Sequence, residues 1–317
     1  MHSVVGTYLD NIGAALYSKT QLVKHMQDLD RHVYGNPHSG NSCSQLSADL
    51  IQEARIMVAN HFNTTLDQHH VIFTSGATGA IKIVAESFSW SARSCFVFLE
   101  DNHTSVVGVR EVAKSAGAQV MFITEASLSD YVDRAKPDSG TSKEDPGDLD
   151  VKGRSSMIVS TVDLASKNSA TQPTVSSTMV SSMSNKFNRN TSKETCHLVC
   201  YPAMSNFCGR KYPLSWVEAI HDGCISDVSS FVGRWYVLLD AASFVCTNPL
   251  DLSDVDADFV TVSFYKMFGF PTGIGALIVR ADAGKALKHK CYYGGGTVLS
   301  TISSIDHHIC KNGLADR

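Results

Sequence analysis

The sequence lacks a surplus of basic residues. Its 317 residues hold 27 Lys and Arg against 31 Asp and Glu, a formal net charge of −4 at pH 7. Binders of nucleic acid or of acidic membrane surfaces rely on clustered positive charge, so we expect neither partner. No run approaches the roughly 18 apolar residues of a membrane-spanning helix, and the first residues lack the pattern of a secretory signal. We therefore expect a cytoplasmic protein.

The cysteines also lack the pattern of a disulfide framework. There are 9 of them, an odd number, scattered from Cys43 to Cys310 and mostly inside apolar segments such as Cys95-Phe-Val-Phe. Reduced thiols of an intracellular protein fit this distribution better. The hydrophobic share of 43% is sufficient for a sizeable core. The length gives a prior of roughly two domains, or of one large α/β domain.

One composition shift divides the chain. Residues 137–194 contain 19 Ser or Thr among 58 residues, and Phe187 is their only aromatic residue. Such a stretch buries too little apolar surface to offset its ordering entropy, which predicts a disordered insertion. We expect residues 1–136 and 195–298 to form two parts of one domain, followed by a short tail, 299–317.

Short apolar runs alternate with helical patterns on both sides of this segment. Continuous apolar runs separated by helices predict an α/β fold with a mostly parallel sheet covered on both faces. The predicted strands are Val71–Thr74, Cys95–Leu99, Gln119–Ile123, Cys196–Cys200, Trp235–Asp240, Phe259–Ser263 and Ile274–Val279. The predicted helices are Thr78–Ser87, Thr104–Ala116 and an outer N-terminal helix with Leu22, Met26 and Leu29.

Candidate functional residues follow several of these strands, where ligands bind in open α/β sheets. The small residues of Thr74-Ser-Gly-Ala-Thr78 open a helix, whose free N–H groups bind anions. An ordinary strand-to-helix turn is the alternative, since no G-x-x-x-x-G-K-[ST] motif is present. His103 and Asp240 follow two other strands. A lone His is more often a surface or capping residue than a functional one, and an Asp that caps the next turn explains Asp240 equally well.

A lysine follows another strand within an aromatic segment. Lys266 lies among Phe264, Tyr265, Phe268 and Phe270 in sequence, and burial among such rings would favour its neutral amine. A neutral amine is what a Schiff-base lysine requires. An anion cradle, a flat ring, a carboxylate and a reactive amine together match the needs of pyridoxal 5′-phosphate.

Several motifs resemble those of one enzyme family. They are Tyr8-Leu-Asp-Asn-Ile-Gly-Ala-Ala, Tyr34-Gly-Asn-Pro-His-Ser, Val71-Ile-Phe-Thr-Ser-Gly-Ala-Thr, Asn102-His-Thr-Ser-Val-Val-Gly, Cys200-Tyr-Pro-Ala-Met-Ser-Asn-Phe, Tyr212-Pro-Leu-Ser-Trp and Leu238-Leu-Asp-Ala-Ala-Ser. The most specific are Ser263-Phe-Tyr-Lys-Met-Phe-Gly-Phe-Pro-Thr-Gly and Tyr293-Gly-Gly-Gly-Thr. On these residues the chain resembles the class V aminotransferase and cysteine desulfurase family of fold-type-I enzymes, and within it the branch that supplies sulfur to the molybdenum cofactor.

The resemblance implies roles for individual residues around pyridoxal 5′-phosphate. Lys266 would carry the cofactor as a Schiff base and Asp240 would pair its ring nitrogen. His103 would stack on the ring face, and Asn206 would lie near the ring hydroxyl.

The phosphate of the cofactor would have its own contacts in this scheme. Ala77, Thr78 and Ser263 would bind it, and Thr297 would reach the phosphate of a neighbouring subunit, which implies a homodimer. No metal ligands are implied. Ser243 stands where most family members carry Gln.

The implied reaction is a sulfur transfer. Sulfur would leave L-cysteine, giving alanine and an enzyme persulfide, and would pass to the molybdenum cofactor that serves xanthine dehydrogenase and aldehyde oxidase. The family's acceptor cysteine, substrate-carboxylate arginine and C-terminal cofactor-binding module would lie beyond Arg317, so we expect most of the small domain to be missing.

Alternatives to this interpretation remain open. One is a truncated form, catalytically incompetent, that binds the cofactor or dimerises without turnover. Another is a general cysteine desulfurase or selenocysteine lyase, which Tyr265 disfavours because those enzymes usually carry His there. Cys43 is a speculative substitute for the acceptor thiol, with a structural thiol as the alternative.

Two further groups of potential metal ligands stand out in the sequence. Cys196 and Cys200 share one predicted strand, where packed core thiols are the expected interpretation. His307, His308 and Cys310 form one short tract without a partner, which is a weak metal signal.

Overall fold

The computed structural model describes residues 6–135, 194–225, 231–287, 294–311 and 313–314. The predicted insertion, 137–194, lies outside the described residues except for Glu194. Tyr293 of the glycine-rich motif also lies outside them.

A seven-stranded sheet in the order β1-β7-β6-β5-β4-β2-β3 forms the centre of the fold. β7 runs antiparallel to both of its neighbours, and the other pairs are parallel. The prediction of a mostly parallel sheet is therefore confirmed. The strands are β1 His69–Thr74, β2 Cys95–Leu99, β3 Gln119–Ile123, β4 Cys196–Pro202, β5 Arg234–Asp240, β6 Phe259–Ser263 and β7 Gly275–Arg280, followed by a separate hairpin of β8 Val298–Ile302 and β9 His307–Cys310.

Helices cover both faces of the sheet. Their bounds are α1 Lys19–Arg31, α2 Ser42–His61, α3 Ala77–Ser87, α4 Thr104–Val107, α5 Val109–Ser115, α6 Glu125–Ala135, α7 Trp216–His221 and α8 Phe264–Phe268. Residues of α2, α6 and α7 join one hydrophobic core, and residues of α3, α4 and α5 join the other. None of the described helices is both long and apolar enough to span a membrane.

The alternation of side chains along a strand explains the two cores. In β2, Cys95, Val97 and Leu99 belong to the first core, whereas Phe96 and Phe98 belong to the second. Successive strand residues point to opposite faces, so a strand buried on both faces is apolar throughout.

Two helices differ in detail from the prediction. The helix expected over Thr104–Ala116 is divided at Gly108 into α4 and α5, because glycine is a weak helix former. The N-terminal helix is present as α1 and contains no fully buried residue, in agreement with a position outside the sheet.

A buried carboxylate stabilises the sheet edge opposite the carboxyl ends of the parallel strands. Asp258 is fully buried, and its Oδ1 accepts from Arg280 Nη2 at 2.6 Å. Its Oδ2 accepts from the Val237 N–H at 2.8 Å and lies 2.8 Å from His221 Nε2. Charged hydrogen bonds of this kind satisfy a carboxylate that would otherwise be costly to bury.

The Asp258→Asn substitution is expected to lower the free energy of unfolding by about 2–3 kcal/mol, because it leaves Arg280 without its buried charge partner. Urea denaturation measures this quantity. Asp256→Asn is the matched control, since Asp256 pairs with the same arginine but its side chain is 64% exposed, and it should cost less than about 1 kcal/mol. Equal losses in the two variants would contradict the prediction.

Candidate active site

One open cleft lies where several parallel strands end. Its cavity volume is about 110 Å³. Six of the residues singled out from the sequence line this cleft: Ala77, Thr78, His103, Asn206, Asp240 and Lys266. The folded chain therefore brings together residues that lie up to 189 positions apart (77 to 266).

The turn after β1 presents free backbone donors to the cleft. Gly76, with φ of 86°, is the residue before α3, and no side chain caps this end of the helix. A Cβ on Gly275 would lie 2.8 Å from the Gly76 Cα and would also collide with the Val262 carbonyl. Glycine at 275 thus lets this turn pack directly on β7. The uncapped N-terminus of α3 can bind an anion.

Asn102 anchors the loop that carries His103. Its side-chain Nδ2 donates to the carbonyls of Leu99, at 2.8 Å, and Cys200, at 3.0 Å. These carbonyls belong to β2 and β4, so the amide joins the ends of two neighbouring strands. His103 is consequently held at the carboxyl edge of the sheet.

The imidazole of His103 belongs to a short chain of hydrogen bonds. Its Nδ1 accepts from the Ser105 N–H at 3.1 Å and lies 2.9 Å from Ser105 Oγ. Ser105 Oγ in turn lies 2.8 Å from Thr78 Oγ1. Because a backbone N–H only donates, Nδ1 must be an unprotonated acceptor, which leaves the proton of the neutral ring on Nε2.

Asp240 directs one carboxylate oxygen into the fold and leaves the other unbound. Its Oδ1 accepts from the Ala242 N–H and from Thr261 Oγ1, both at 3.1 Å. Its Oδ2 makes no hydrogen bond within the described part of the chain, although only 8% of the residue is exposed. This oxygen is available to a proton donor in the cleft.

Lys266 lies in α8 and is half-buried, with no bond to its ammonium group from the described residues. The aromatic enclosure expected from the sequence is not formed. Phe264 packs in the core and Phe270 contacts His25 with ring centroids 5.2 Å apart. Phe268 is 52% exposed, which leaves Tyr265 as the aromatic neighbour in the cleft. Side chains adjacent in a helix point in different directions, so neighbours in sequence need not be neighbours in space.

Two predicted phosphate contacts lie outside the walls of the cleft. Ser263 is buried at the end of β6, and its hydroxyl has no hydrogen-bond partner within the described residues. Thr297 is occupied locally, since its Oγ1 donates to the Gly294 carbonyl at 2.7 Å. It lines no part of its own chain's cleft.

Asn206 reaches the cleft from an exposed turn that Ser205 stabilises. Ser205 Oγ accepts from the N–H groups of Phe207 and Cys208, at 3.2 and 3.3 Å. The Asn206 amide makes no side-chain hydrogen bond with the residues described. It is therefore free to face a ligand.

The thiols differ strongly in their surroundings. Burial, and secondarily the Asp240 charge, raises the pKa of Cys200 well above its usual value, and burial raises the pKa of Cys95 to about 12. Burial also raises the pKa of Cys246, although the nearby Lys266 charge opposes this. Cys43 lies in the first turn of α2, outside the cleft.

The tract with His307, His308 and Cys310 forms β9, in which successive residues alternate between faces. Among the described residues, no group of three potential ligands converges on a metal position. Cys196 and Cys200 both pack with the second core, as predicted for structural thiols.

Sequence reasoning missed Ser105 and Asn102 as parts of the site. Both lie in the quoted motif after β2, and an Asn-His-x-Ser order at a helix start is typical of capping residues. That signal identified neither bonding partner, because Thr78 and Cys200 are distant in sequence.

The profile of the family described as aminotransferase class-V matches residues 7–131 and 147–312. The chain is 39% identical to a molybdenum cofactor sulfurase from Danio rerio and 40% identical to one from Homo sapiens, each over 98% of this chain. It spans 32% and 30% of those two proteins, about a third of their length.

Solved structures agree on the fold. The cysteine desulfurase CsdA from Escherichia coli superposes with a TM-score of 0.62 at 18% identity, over 98% of this chain and 64% of that one. A cysteine desulfurase from Thermococcus onnurineus NA1 gives 0.63 at 18% identity, over 98% and 62%. The predicted fold-type-I architecture is confirmed. With its profile match over most of its length, the chain belongs to the aminotransferase class-V family.

Proposed function

We propose that this chain binds pyridoxal 5′-phosphate on Lys266 and takes sulfur from L-cysteine, releasing alanine, as part of a molybdenum cofactor sulfurase. The observation that supports this most is the convergence of Lys266, Asp240, His103 and the N-terminus of α3 on one cleft. The relatives named above are molybdenum cofactor sulfurases. The final acceptor of the sulfur would be the molybdenum cofactor.

The polar groups around the cleft fit this cofactor in number and kind. The N-terminus of α3 is uncapped and suits a phosphate. The buried Ser263 hydroxyl has no partner in the described chain, and Asp240 Oδ2 likewise offers a free acceptor. The Ser263 hydroxyl would donate to a phosphate oxygen, and Asp240 Oδ2 would accept from a protonated ring nitrogen.

The protein's own groups would then hold and orient the reacting parts. When bound, the cofactor supplies an electron sink for the substrate's α-carbon. Lys266 would first hold the cofactor and then, once displaced, act as the base at the substrate α-carbon. Asp240 would keep a proton on the ring nitrogen, and His103 would fix the ring face with its Nε2–H directed away from Ser105.

Thr297 supports a homodimer in this proposal. Its hydroxyl lies outside the cleft of its own chain, so it would act only at the site of a second copy. The exposed apolar side chains of the adjacent hairpin, Leu299 and Ile305, are 64% and 61% exposed and are suited to such a contact.

The full chain, incubated with pyridoxal phosphate, tests the proposal. Borohydride reduction followed by peptide mass mapping should place the cofactor on Lys266. L-Cysteine added with excess dithiothreitol, whose thiols accept the transferred sulfur and reduce it to sulfide, should yield alanine in repeated turnovers. Cofactor labelling without alanine would favour the non-catalytic alternative. Faster alanine release from L-selenocysteine than from L-cysteine would favour the lyase. The absence of cofactor labelling would refute both the sulfurase and the lyase.

Gly275→Ala is expected to weaken pyridoxal phosphate binding by roughly tenfold or more, because the added methyl group would force the Gly76 turn away from β7. Fluorescence titration with the cofactor measures this. Gly40→Ala is the control, since a Cβ there meets no atom within 4 Å. Unchanged affinity in the Gly275 variant, with an unchanged melting temperature, would contradict the assigned anion site.

A further inference from the structure

Ser105 is the structural link between the two sides of the cleft. Thr78 lies in the first turn of α3 and His103 precedes α4, 25 residues later in the sequence. Ser105 Oγ lies 2.8 Å from Thr78 Oγ1 and 2.9 Å from His103 Nδ1. No other hydroxyl within the described chain forms hydrogen bonds with both residues.

The single proton of the Ser105 hydroxyl allows two arrangements. A hydroxyl donates once and accepts through two lone pairs. In the first arrangement Ser105 donates to His103 Nδ1 and accepts from Thr78. In the second, Ser105 donates to Thr78, and the Thr78 proton is free to point into the cleft.

An anion at the N-terminus of α3 would select the second arrangement. The anion requires donors, and Thr78 can donate to it only when it gives up its bond to Ser105 Oγ. Thr78 then accepts from Ser105, whose proton leaves His103. The imidazole Nδ1 keeps only the 3.1 Å bond from the Ser105 N–H.

We propose that Ser105 is a positioning residue that couples the anion site at Thr78 to the imidazole of His103 through its hydroxyl. Its backbone N–H fixes the His103 tautomer. Its hydroxyl donates to the His103 ring only when no anion is bound at Thr78. The identification of the anion as the cofactor's phosphate rests on the proposed function. The coupling itself requires only an anion.

Imidazole ¹⁵N spectra of the full chain, titrated with inorganic phosphate, test this coupling. The His103 resonances are assigned from their absence in His103→Gln, and the Thr78 amide reports phosphate occupancy. In the wild type, saturation should shift the Nδ1 resonance towards that of a more weakly hydrogen-bonded acceptor. Ser105→Ala should start near the shifted position and show only the smaller shift that the electric field of the phosphate itself causes.

Two further variants separate coupling from simple damage to the fold. Ser105→Thr retains the hydroxyl and should restore the response, and Thr104→Ala removes an exposed neighbouring hydroxyl and should respond like the wild type. The direct field of phosphate acts equally in Ser105→Ala, so an undiminished shift there would overturn the proposal. A wild type without any shift at saturation would also overturn it, as would a failure of phosphate to bind.

Cofactor affinity provides a second readout. Ser105→Ala should bind pyridoxal phosphate at least as tightly as the wild type, and up to roughly tenfold more tightly, because only the wild type gives up the neutral Ser105–His103 hydrogen bond when the anion binds. If Lys266 fails to bind the cofactor covalently while the phosphate response remains, the proposed function is wrong and the coupling stands. If Lys266 binds the cofactor covalently but the phosphate response is absent, the coupling is wrong and the proposed function stands.

Discussion

Replacing Lys266 by alanine is expected to abolish alanine release from L-cysteine, lowering turnover by more than about 10⁴-fold. The reason is that one amine would serve both as the attachment point and as the base, and losses of this size follow removal of a group that acts covalently. Borohydride should then fix no cofactor on the α8 peptide. Quantified alanine and peptide mass mapping measure the two effects.

Lys82→Ala is the matched control for this experiment. Lys82 lies on the surface of α3 and pairs with Glu86 at 3.6 Å, its side chain 70% exposed. Its removal takes away the same charge without touching the cleft, so turnover should stay within about twofold of wild type, as expected for an exposed ion pair. Cofactor fixation on another lysine in Lys266→Ala, with turnover retained, would show that the assignment is wrong.

Asp240→Asn is expected to lower turnover by about 10²–10³-fold while leaving cofactor attachment to Lys266 intact. An amide can still accept from Ala242 N–H and Thr261, but it cannot stabilise a positive charge on the ring nitrogen. Removing one preorganised electrostatic contact from a transition state costs this much in other enzymes. Steady-state alanine release and borohydride mapping in the same samples separate the two effects.

Asp254→Asn is a suitable comparison for Asp240→Asn, because Asp254 is exposed and lies outside the cleft. It should leave turnover unchanged. If Asp240→Asn lost the attachment to Lys266 as well, the carboxylate would be required for binding rather than for chemistry. Full activity in Asp240→Asn would remove Asp240 from the proposed mechanism.

These expectations distinguish the proposed sulfurase from a non-catalytic cofactor binder. Both kinds of protein would retain the contacts at Thr78 and Gly76, since these concern binding of the phosphate. Only the enzyme requires the base at Lys266 and the charge at Asp240 during turnover. The Lys266 and Asp240 variants together therefore assign attachment and catalysis separately.

The strands and most of the cleft were predictable from local pattern. β2, β3 and β6 have the predicted bounds, because apolar and β-branched residues make up most of each five-residue strand. Thr78, His103 and Asp240 each follow such a strand. Since parallel strands end at the same edge, their convergence follows from the topology.

The environment of Lys266 was predicted incorrectly from its neighbours in sequence. A count of aromatic residues nearby cannot tell which side of a helix each one occupies. Phe264 and Phe268 lie four residues apart in α8 and stack with ring centroids 6.5 Å apart, while the cleft receives Tyr265 and Lys266. The open setting of the lysine results from this distribution.

The sequence by itself determined the chemistry available at the cleft: an amine, a carboxylate, an imidazole and a helix start, each placed after a strand by short-range periodicity. Only the tertiary structure decided how these groups are joined. The bond between Ser105 and Thr78, the contact of Gly76 with Gly275 and the bond from Asn102 to Cys200 each connect separate elements. Local propensity depends on residues a few positions away, whereas such contacts depend on how distant segments pack against one sheet.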